Sequence, residues 1–238
     1  MNIAISGYGR MGKEVEKVAL LREHRILTIV DKIEEWKKIE KQEKEVNAII
    51  DFSLPETAFS NIVRSFTLGI PIVTGTTGWY DHMEEVIEQC KKLDGTLFYA
   101  PNFSIGVNVF FNVNRHLAKL MNGIEGYKVT IEETHHVHKL DAPSGTAIKA
   151  ANDLISEHEK LAKWVNTDEI KDDELAIISN REGEVTGIHK VVYDSDFDKL
   201  ILKHESKSRA GFALGAVLAA EFVVDKKGVY TMDDLLKF

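Results

Sequence analysis

The sequence has 238 residues, 44% hydrophobic and 29% charged, with four prolines, which excludes a disordered or fibrous chain and leaves room for one or two globular domains. Acidic residues outnumber lysine plus arginine by 38 to 30, and a net charge of −8 argues against a surface built for nucleic-acid phosphates or anionic lipid. The single cysteine, Cys90, rules out an intramolecular disulfide, and its helical spacing with Val86 and Ile87 marks it as a small buried apolar residue.

Over residues 1–100 short β-branched apolar runs alternate with amphipathic stretches, the pattern of consecutive βαβ units and a Rossmann-like, doubly wound parallel sheet. Strands are predicted over 2–6, 26–30, 48–52, 70–74 and 96–100. Helices are predicted over 11–22, 33–46, 56–68 and 80–92, each with apolar residues three and four apart. The 33–46 stretch mixes lysine and glutamate and reads as a solvated helix face without function. The first strand runs straight into Gly7 with no basic leader or cleavage site, so it is not read as a signal peptide. No apolar run approaches the roughly 18 residues of a membrane span, and a cytoplasmic protein with no membrane or nucleic-acid partner is expected.

From Gly126 the texture changes to period-two alternation over 127–134, 176–180, 184–192 and 199–206, with one long helix near 147–161. A second, α+β domain with a mixed, largely antiparallel sheet and helices on one side is expected. Residues 211–224 return to a helix whose small face, Gly211, Ala213, Gly215, Ala216, Ala219 and Ala220, invites close packing. The C-terminal piece is expected to rejoin the first domain, giving a dinucleotide-binding domain over 1–105 and 212–238 and a substrate-binding domain over 106–211.

Gly7-Tyr8-Gly9-Arg10-Met11-Gly12 follows the first strand and opens the first helix, so G-x-G-x-x-G stands in its dinucleotide-binding context. The glycines admit a tight turn, close approach of pyrophosphate and helix-on-strand packing, and the helix start offers free N–H groups. Asp31 lies 19 positions beyond Gly12, near the spacing of a ribose-binding carboxylate, which favours NADH. Lys32 and Arg10 could neutralise a 2′-phosphate, which leaves NADPH open. Two later loops leave carboxyl ends of strands, the ligand edge of such sheets. Gly75-Thr76-Thr77-Gly78 offers hydroxyls, and Pro101-Asn102-Phe103-Ser104 offers an amide and an aromatic wall for the nicotinamide end.

The densest chemistry lies between Glu133 and Thr146, where a strand runs out into a loop and then into a helix starting near Ser144. His135, His136, His138 and Lys139 can exchange protons or stay cationic. Ser144, Gly145 and Thr146 at the helix start are expected to hold a substrate carboxylate, with Lys139 as the matching cation. His136 and His138 would share a face of a continued strand and so raise a metal site. No cysteine or acidic partner lies at a zinc spacing and Lys139 would repel the ion, so no metal is expected.

The run from His135 to Ala147, His-His-Val-His-Lys-Leu-Asp-Ala-Pro-Ser-Gly-Thr-Ala, closely resembles the signature of the 4-hydroxy-tetrahydrodipicolinate (dihydrodipicolinate) reductase family of diaminopimelate and lysine biosynthesis. Further blocks resemble that family in its order: residues 9–12, 51–55, 75–78, 100–104, 181–189 and 208–215. The resemblance implies that His135 donates a proton, that Lys139 is a second proton donor and meets a carboxylate, and that His136, Gly145 and Thr146 bind substrate. It further implies a cofactor held by residues 7–12, by Asp31 and Lys32 at the adenosine ribose, and by residues 75–77 and 100–103 at the nicotinamide. Family members are generally homotetramers assembled through the second domain, with a hinge between domains. Two departures touch the adenosine end. The first loop is one residue shorter than is usual in the family, and the stretch between Asp31 and Asp51 is abbreviated.

The expected activity is NAD(P)H-dependent reduction of a small cyclic dicarboxylate, with the cofactor supplying hydride and His135 the proton. Two other readings remain beside it: another two-domain NAD(P)-dependent dehydrogenase, which leaves the histidine block unexplained, and a non-catalytic NAD(P) sensor, which needs that block to be inert.

Overall fold

Parallel strands β1 (Asn2–Ser6), β2 (Arg25–Val30), β3 (Ala48–Asp51), β4 (Ile72–Thr74), β5 (Thr96–Tyr99) and the late β11 (Gly228–Tyr230) form one sheet in the order β11-β5-β4-β3-β1-β2. The computed structural model describes residues 1–167 and 170–238, which cluster into two units: Met1–Ile105 with Arg209–Phe238, and Gly106–Ser208. The doubly wound sheet expected over 1–100 is present, and its central strands carry uninterrupted apolar runs because both faces are covered. Ile3, Ala4, Ile5, Ala48, Ile49 and Ile50 are all fully buried. One face packs with α1 (Arg10–Leu21) and α7 (Ala210–Val223), the other with α3 (Pro55–Thr67) and α4 (Met83–Lys92).

Differences from the predicted elements have local causes. Residues 33–46 do not form one helix; a 3-10 turn, Ile33–Trp36, leads into the short α2 (Lys37–Glu40), because Trp36 and Ile39 bury into the core and leave the lysines and glutamates around them outside. β4 starts at Ile72 rather than residue 70, since Pro71 has no N–H to give to a ladder. The closing strand β11 and α8 (Met232–Leu236) were not anticipated; Gly228–Tyr230 is strand because it pairs with Thr96–Phe98 of β5.

α7 buries Ala213, Ala216, Val217, Ala219, Ala220 and Val223 beside α1, and Glu221 reaches Arg22 at 2.8 Å and His24 at 2.7 Å. Its small face serves one close approach above all. A Cβ at Gly215 would lie 1.8 Å from the carbonyl oxygen of Phe103.

In the second unit β6 (Lys128–His135) lies at the centre of a sheet ordered β10-β9-β6-β8-β7, with β7 (Lys163–Val165), β8 (Glu174–Arg181), β9 (Ile188–Asp194) and β10 (Lys199–Glu205). The sheet is mixed as expected, but half of its pairings are parallel: β6 with β8 and β8 with β7, against the antiparallel β6–β9 and β9–β10. α5 (Ile105–Met121), which sequence reading missed, and α6 (Gly145–Ile155) cover one face. Phe110, Phe111 and Leu154 pack there on Ile131, Leu175, Ile177 and Tyr193, and Asn114 donates to the Ala150 carbonyl at 2.8 Å to tie the helices together. Among the described residues no helix is long and apolar enough to cross a membrane.

Gly215→Ala is expected to destabilise the protein by about 1–3 kcal/mol, since the obstacle is backbone rather than a flexible side-chain end. A thermal melt should show a drop of several degrees, and an unchanged melting temperature would contradict the packing described for α7.

Candidate active site

The register of β6 assembles the chemistry of the second unit. Glu133 and His135 stand two apart and so project from the same face, with Glu133 opposite His189 of β9 and Ser179 of β8, and His135 opposite Arg181. Glu133 is completely buried. Its Oε1 accepts from the Ser144 N–H and from Arg181 Nη1, each at 3.2 Å, while Oε2 is in ion-pair contact with Nδ1 of His135. Burial by itself would raise the pKa of this carboxyl; the contacts with His135, Ser179 and Ser144 outweigh it and hold the group at about 2.

His135 is 7% exposed, and its ring lies 5.1 Å from that of His189. On the far nitrogen the space is kept by Gly187, whose Cβ, were there one, would stand 3.0 Å from His135 Nε2. His189 is also buried; its Nε2 meets Ser144 Oγ at 3.1 Å, and desolvation, with the neighbouring His135, lowers its pKa to about 4.

The loop beyond β6 carries Lys139, whose ammonium is 2.7 and 2.8 Å from the two carboxylate oxygens of Asp141 and holds that carboxyl below its usual range. Arg181 straps this loop, donating to the carbonyls of Lys139 at 3.3 Å and Asp141 at 2.7 Å as well as to Glu133. Ser144 caps α6 by accepting from the Ala147 N–H at 3.2 Å, and the first turn of the helix holds no acidic residue. Gly145 is exposed and Thr146 half-buried at that start. His136 is half-buried, with a buried Nδ1 that has no hydrogen-bond partner. His138 is exposed and 3.5 Å from Glu184, so the three histidines do not converge. Among the described residues the one group of metal-ligand type is Glu133, His135 and His189, and there the guanidinium of Arg181 already answers the carboxylate and opposes a dication.

Glu133, Arg181 and His189 went unassigned in the sequence. Arg181 and His189 bound one of its recognised blocks, but no spacing rule distinguishes a buried strand charge from an exposed one.

In the first unit a cleft of about 270 Å³ opens at the carboxyl ends of β1 and β3 and brings together Gly7, Gly9, Asp31 and Lys32 with Trp36, Phe52, Ser53 and Thr57. Gly7 has φ +84 and lies against the Phe52 carbonyl, so it must be glycine, and a Cβ at Gly12 would strike the Gly7 oxygen at 2.2 Å. A Cβ at Gly9 would meet nothing within 4 Å, which leaves the backbone there open to a ligand. α1 begins at Arg10 with no side-chain cap and no acidic residue in its first turn, which suits pyrophosphate. The residues therefore fit a dinucleotide. The Tyr8 N–H donates to Asp31 Oδ1 at 2.7 Å, the Tyr8 hydroxyl contacts Glu16, Arg10 is exposed and Met11 partly buried.

Gly75, Thr76 and Thr77 follow β4 on the same edge of the sheet; Thr76 is buried and donates to Asp51 Oδ2 at 2.9 Å, whereas Thr77 is exposed. Ala100 is buried, its N–H 3.3 Å from the Thr74 carbonyl, Pro101 is exposed, and Asn102 Oδ1 accepts from the Ser104 N–H at 2.9 Å. Phe103 is a correction. Its ring forms no open wall but is 2% exposed, packed on Phe52 and Phe98, because the approach of Gly215 leaves it an apolar pocket to fill.

A depressed histidine pKa means that the unfolded chain takes up a proton the folded protein refuses. The contribution of His189 to stability is therefore whole above about 6.5 and is lost as pH falls through about 4, a change of about 3 kcal/mol. Denaturant midpoints across that range should fall less in His189→Gln than in the unsubstituted protein; parallel slopes would contradict the neutral, buried state of this ring.

The chain matches two family models, "Dihydrodipicolinate reductase, N-terminus" over residues 1–103 and "Dihydrodipicolinate reductase, C-terminus" over 106–236. It is 48% identical over 236 residues to a 4-hydroxy-tetrahydrodipicolinate reductase of Christiangramia forsetii, covering 99% of this chain and 98% of that one. With the enzyme of the same name from Methanopyrus kandleri it shares 36% identity over 199 residues, 81% of this chain and 72% of that one. Among solved structures, a dipicolinate-bound dihydrodipicolinate reductase from Paenisporosarcina sp. TG-14 shares the fold with a TM-score of 0.79 at 21% identity, over 97% of each chain. By both halves of its sequence and by a near-complete alignment with such a relative, the chain belongs to the 4-hydroxy-tetrahydrodipicolinate reductase family.

Proposed function

We propose that this protein catalyses the NAD(P)H-dependent reduction of 4-hydroxy-tetrahydrodipicolinate to tetrahydrodipicolinate in diaminopimelate and lysine biosynthesis. The observation that carries the reading is the buried Glu133–His135 contact beside the Lys139 loop and the start of α6, in a chain 48% identical to a reductase of that name. Residues 7–12, Asp31, Lys32, 75–77 and 100–103, Phe103 through its backbone, would hold a reduced nicotinamide dinucleotide, which would supply the hydride.

The chain's own residues supply the rest. Glu133 engages Nδ1 of His135, which fixes the ring and leaves Nε2, kept clear by Gly187, as the atom that delivers a proton to the substrate carbon. Lys139 meets one substrate carboxylate by exchanging its Asp141 partner for the ligand, and acts as a second proton donor. The N–H groups at Gly145 and Thr146, with the half-buried His136, take the other carboxylate. Arg181 holds the Lys139 loop at the height these contacts need. The active form is a cytoplasmic homotetramer assembled through the second unit's sheet, whose face away from α5 and α6 exposes Ile178 and Ile201, at 43% and 51%.

Absorbance at 340 nm on adding freshly generated substrate to protein and reduced cofactor should fall catalytically; cofactor binding without oxidation would mark a sensor instead. His135→Gln should lower kcat about a hundredfold or more with little change in KM, the signature of a lost positioned acid. Arg181→Lys, which keeps the charge but loses the planar fork, should raise KM for the dicarboxylate by about tenfold at nearly unchanged cofactor affinity. An unaltered KM would remove Arg181 from loop positioning.

A further inference from the structure

Three backbone and side-chain positions at the end of β2 share one acceptor. Glu35, in the 3-10 turn, accepts the N–H of Asp31 at 2.9 Å and that of Lys32 at 3.3 Å on its Oε2, while its Oε1 pairs with Lys38 at 2.7 Å. The N–H of Asp31 leads this set in holding the Glu35 carboxyl at about 2, so the group is an anion at any working pH. Asp31 and Lys32 line the cleft beside Gly7 and Gly9, and Asp31 supplies a second carboxylate there. A dinucleotide that carries a 2′-phosphate needs peptide donors and unengaged cations at this place; a plain ribose needs acceptors for its hydroxyls.

We infer that Glu35 is a specificity-determining residue that makes the adenosine end of the cleft select NADH over NADPH, by occupying the two peptide N–H groups a 2′-phosphate would use, while Asp31 in the cleft lining sets a carboxylate against that phosphate. The inference rests on the reductase reading for its cofactor, and it adds a residue that the G-x-G-x-x-G motif and the Asp31 spacing do not include. The cations at this end weigh less than the acceptors. Lys32 and Arg10 are exposed, and the charge of Lys38 is directed at Glu35 itself. The turn between β2 and α2 puts the carboxylate here, because Trp36, next to Glu35, and Ile39, one turn on, bury and fix it against the core.

The test is equilibrium binding of NADH and NADPH to the full-length protein, read by calorimetry without substrate, so that it stands whether or not turnover of 4-hydroxy-tetrahydrodipicolinate is found. The unsubstituted protein should bind NADH at least tenfold more tightly at low salt, with the gap narrowing as ionic strength rises. Glu35→Gln should cut the NADH-to-NADPH ratio about fivefold or more, mainly by tightening NADPH. Glu35→Ala, which frees both N–H groups, should cut it further, while Glu34→Gln should leave it unchanged. Equal affinity in the unsubstituted protein, or a ratio unmoved in Glu35→Gln with NADH affinity retained, overturns the inference. Loss of binding to both dinucleotides would instead strike at the cofactor assignment itself, and with it this proposal.

Discussion

A carboxylate without solvent sets the terms for the second unit. Removing an ion such as Glu133 from water costs several kcal/mol unless donors surround it, and its donors come from three separate stretches of chain: His135 on its own strand, Arg181 at the end of the parallel neighbour, and the Ser144 N–H at the helix start. Each donor also has a second task. His135 offers its other nitrogen, Arg181 holds the carbonyls of the Lys139 loop, and Ser144 caps α6 and meets His189. A one-residue slip of β6 would turn both Glu133 and His135 to the opposite face and strand the guanidinium, so the hydrogen-bond ladder and the functional group enforce the same register.

The first unit uses a related device with uncharged donors. Asp51, at the carboxyl end of β3, is fully buried and accepts from Asn61 Nδ2 at 3.0 Å, Thr74 Oγ1 at 3.0 Å and Thr76 Oγ1 at 2.9 Å. Thr76 belongs to the loop after β4, so a helix, two strands and that loop are fastened to one residue. Fastening of this kind holds backbone N–H groups in place before a ligand arrives, which lowers the entropy lost on binding. In both units one buried acidic side chain ties together segments from separate parts of the chain.

Legibility in the sequence followed what local pattern can encode. The parallel sheet was readable because strands covered on both faces carry unbroken apolar runs, and 2–6 coincides with β1. Gly7 and Gly12 were readable because the local turn itself requires them: Gly7 by its positive φ, and Gly12 by its approach to the Gly7 oxygen. β7, β11 and α8 were not, being three to five residues long and defined by their partners. α5 escaped because its core face, Val107, Phe110, Phe111, Asn114 and Ala118, includes a buried asparagine whose amide N–H finds its acceptor in the distant Ala150 carbonyl. Glu133 and Arg181 escaped for the converse reason. In an alternating strand a charge reads as an outward residue, and only pairing across strands reveals that these two answer each other.

The two buried imidazoles stand in contrasting surroundings. Two rings 5.1 Å apart would repel if each carried a proton, and a charge on His189 would oppose one on His135. Burial away from any carboxylate contact of its own keeps His189 neutral down to about pH 4, whereas His135 faces Glu133 directly. The same fold thus gives two identical side chains different partners, one against the buried carboxylate and one against a hydroxyl. His189 then serves as a polar, uncharged wall that positions Ser144 and the start of α6.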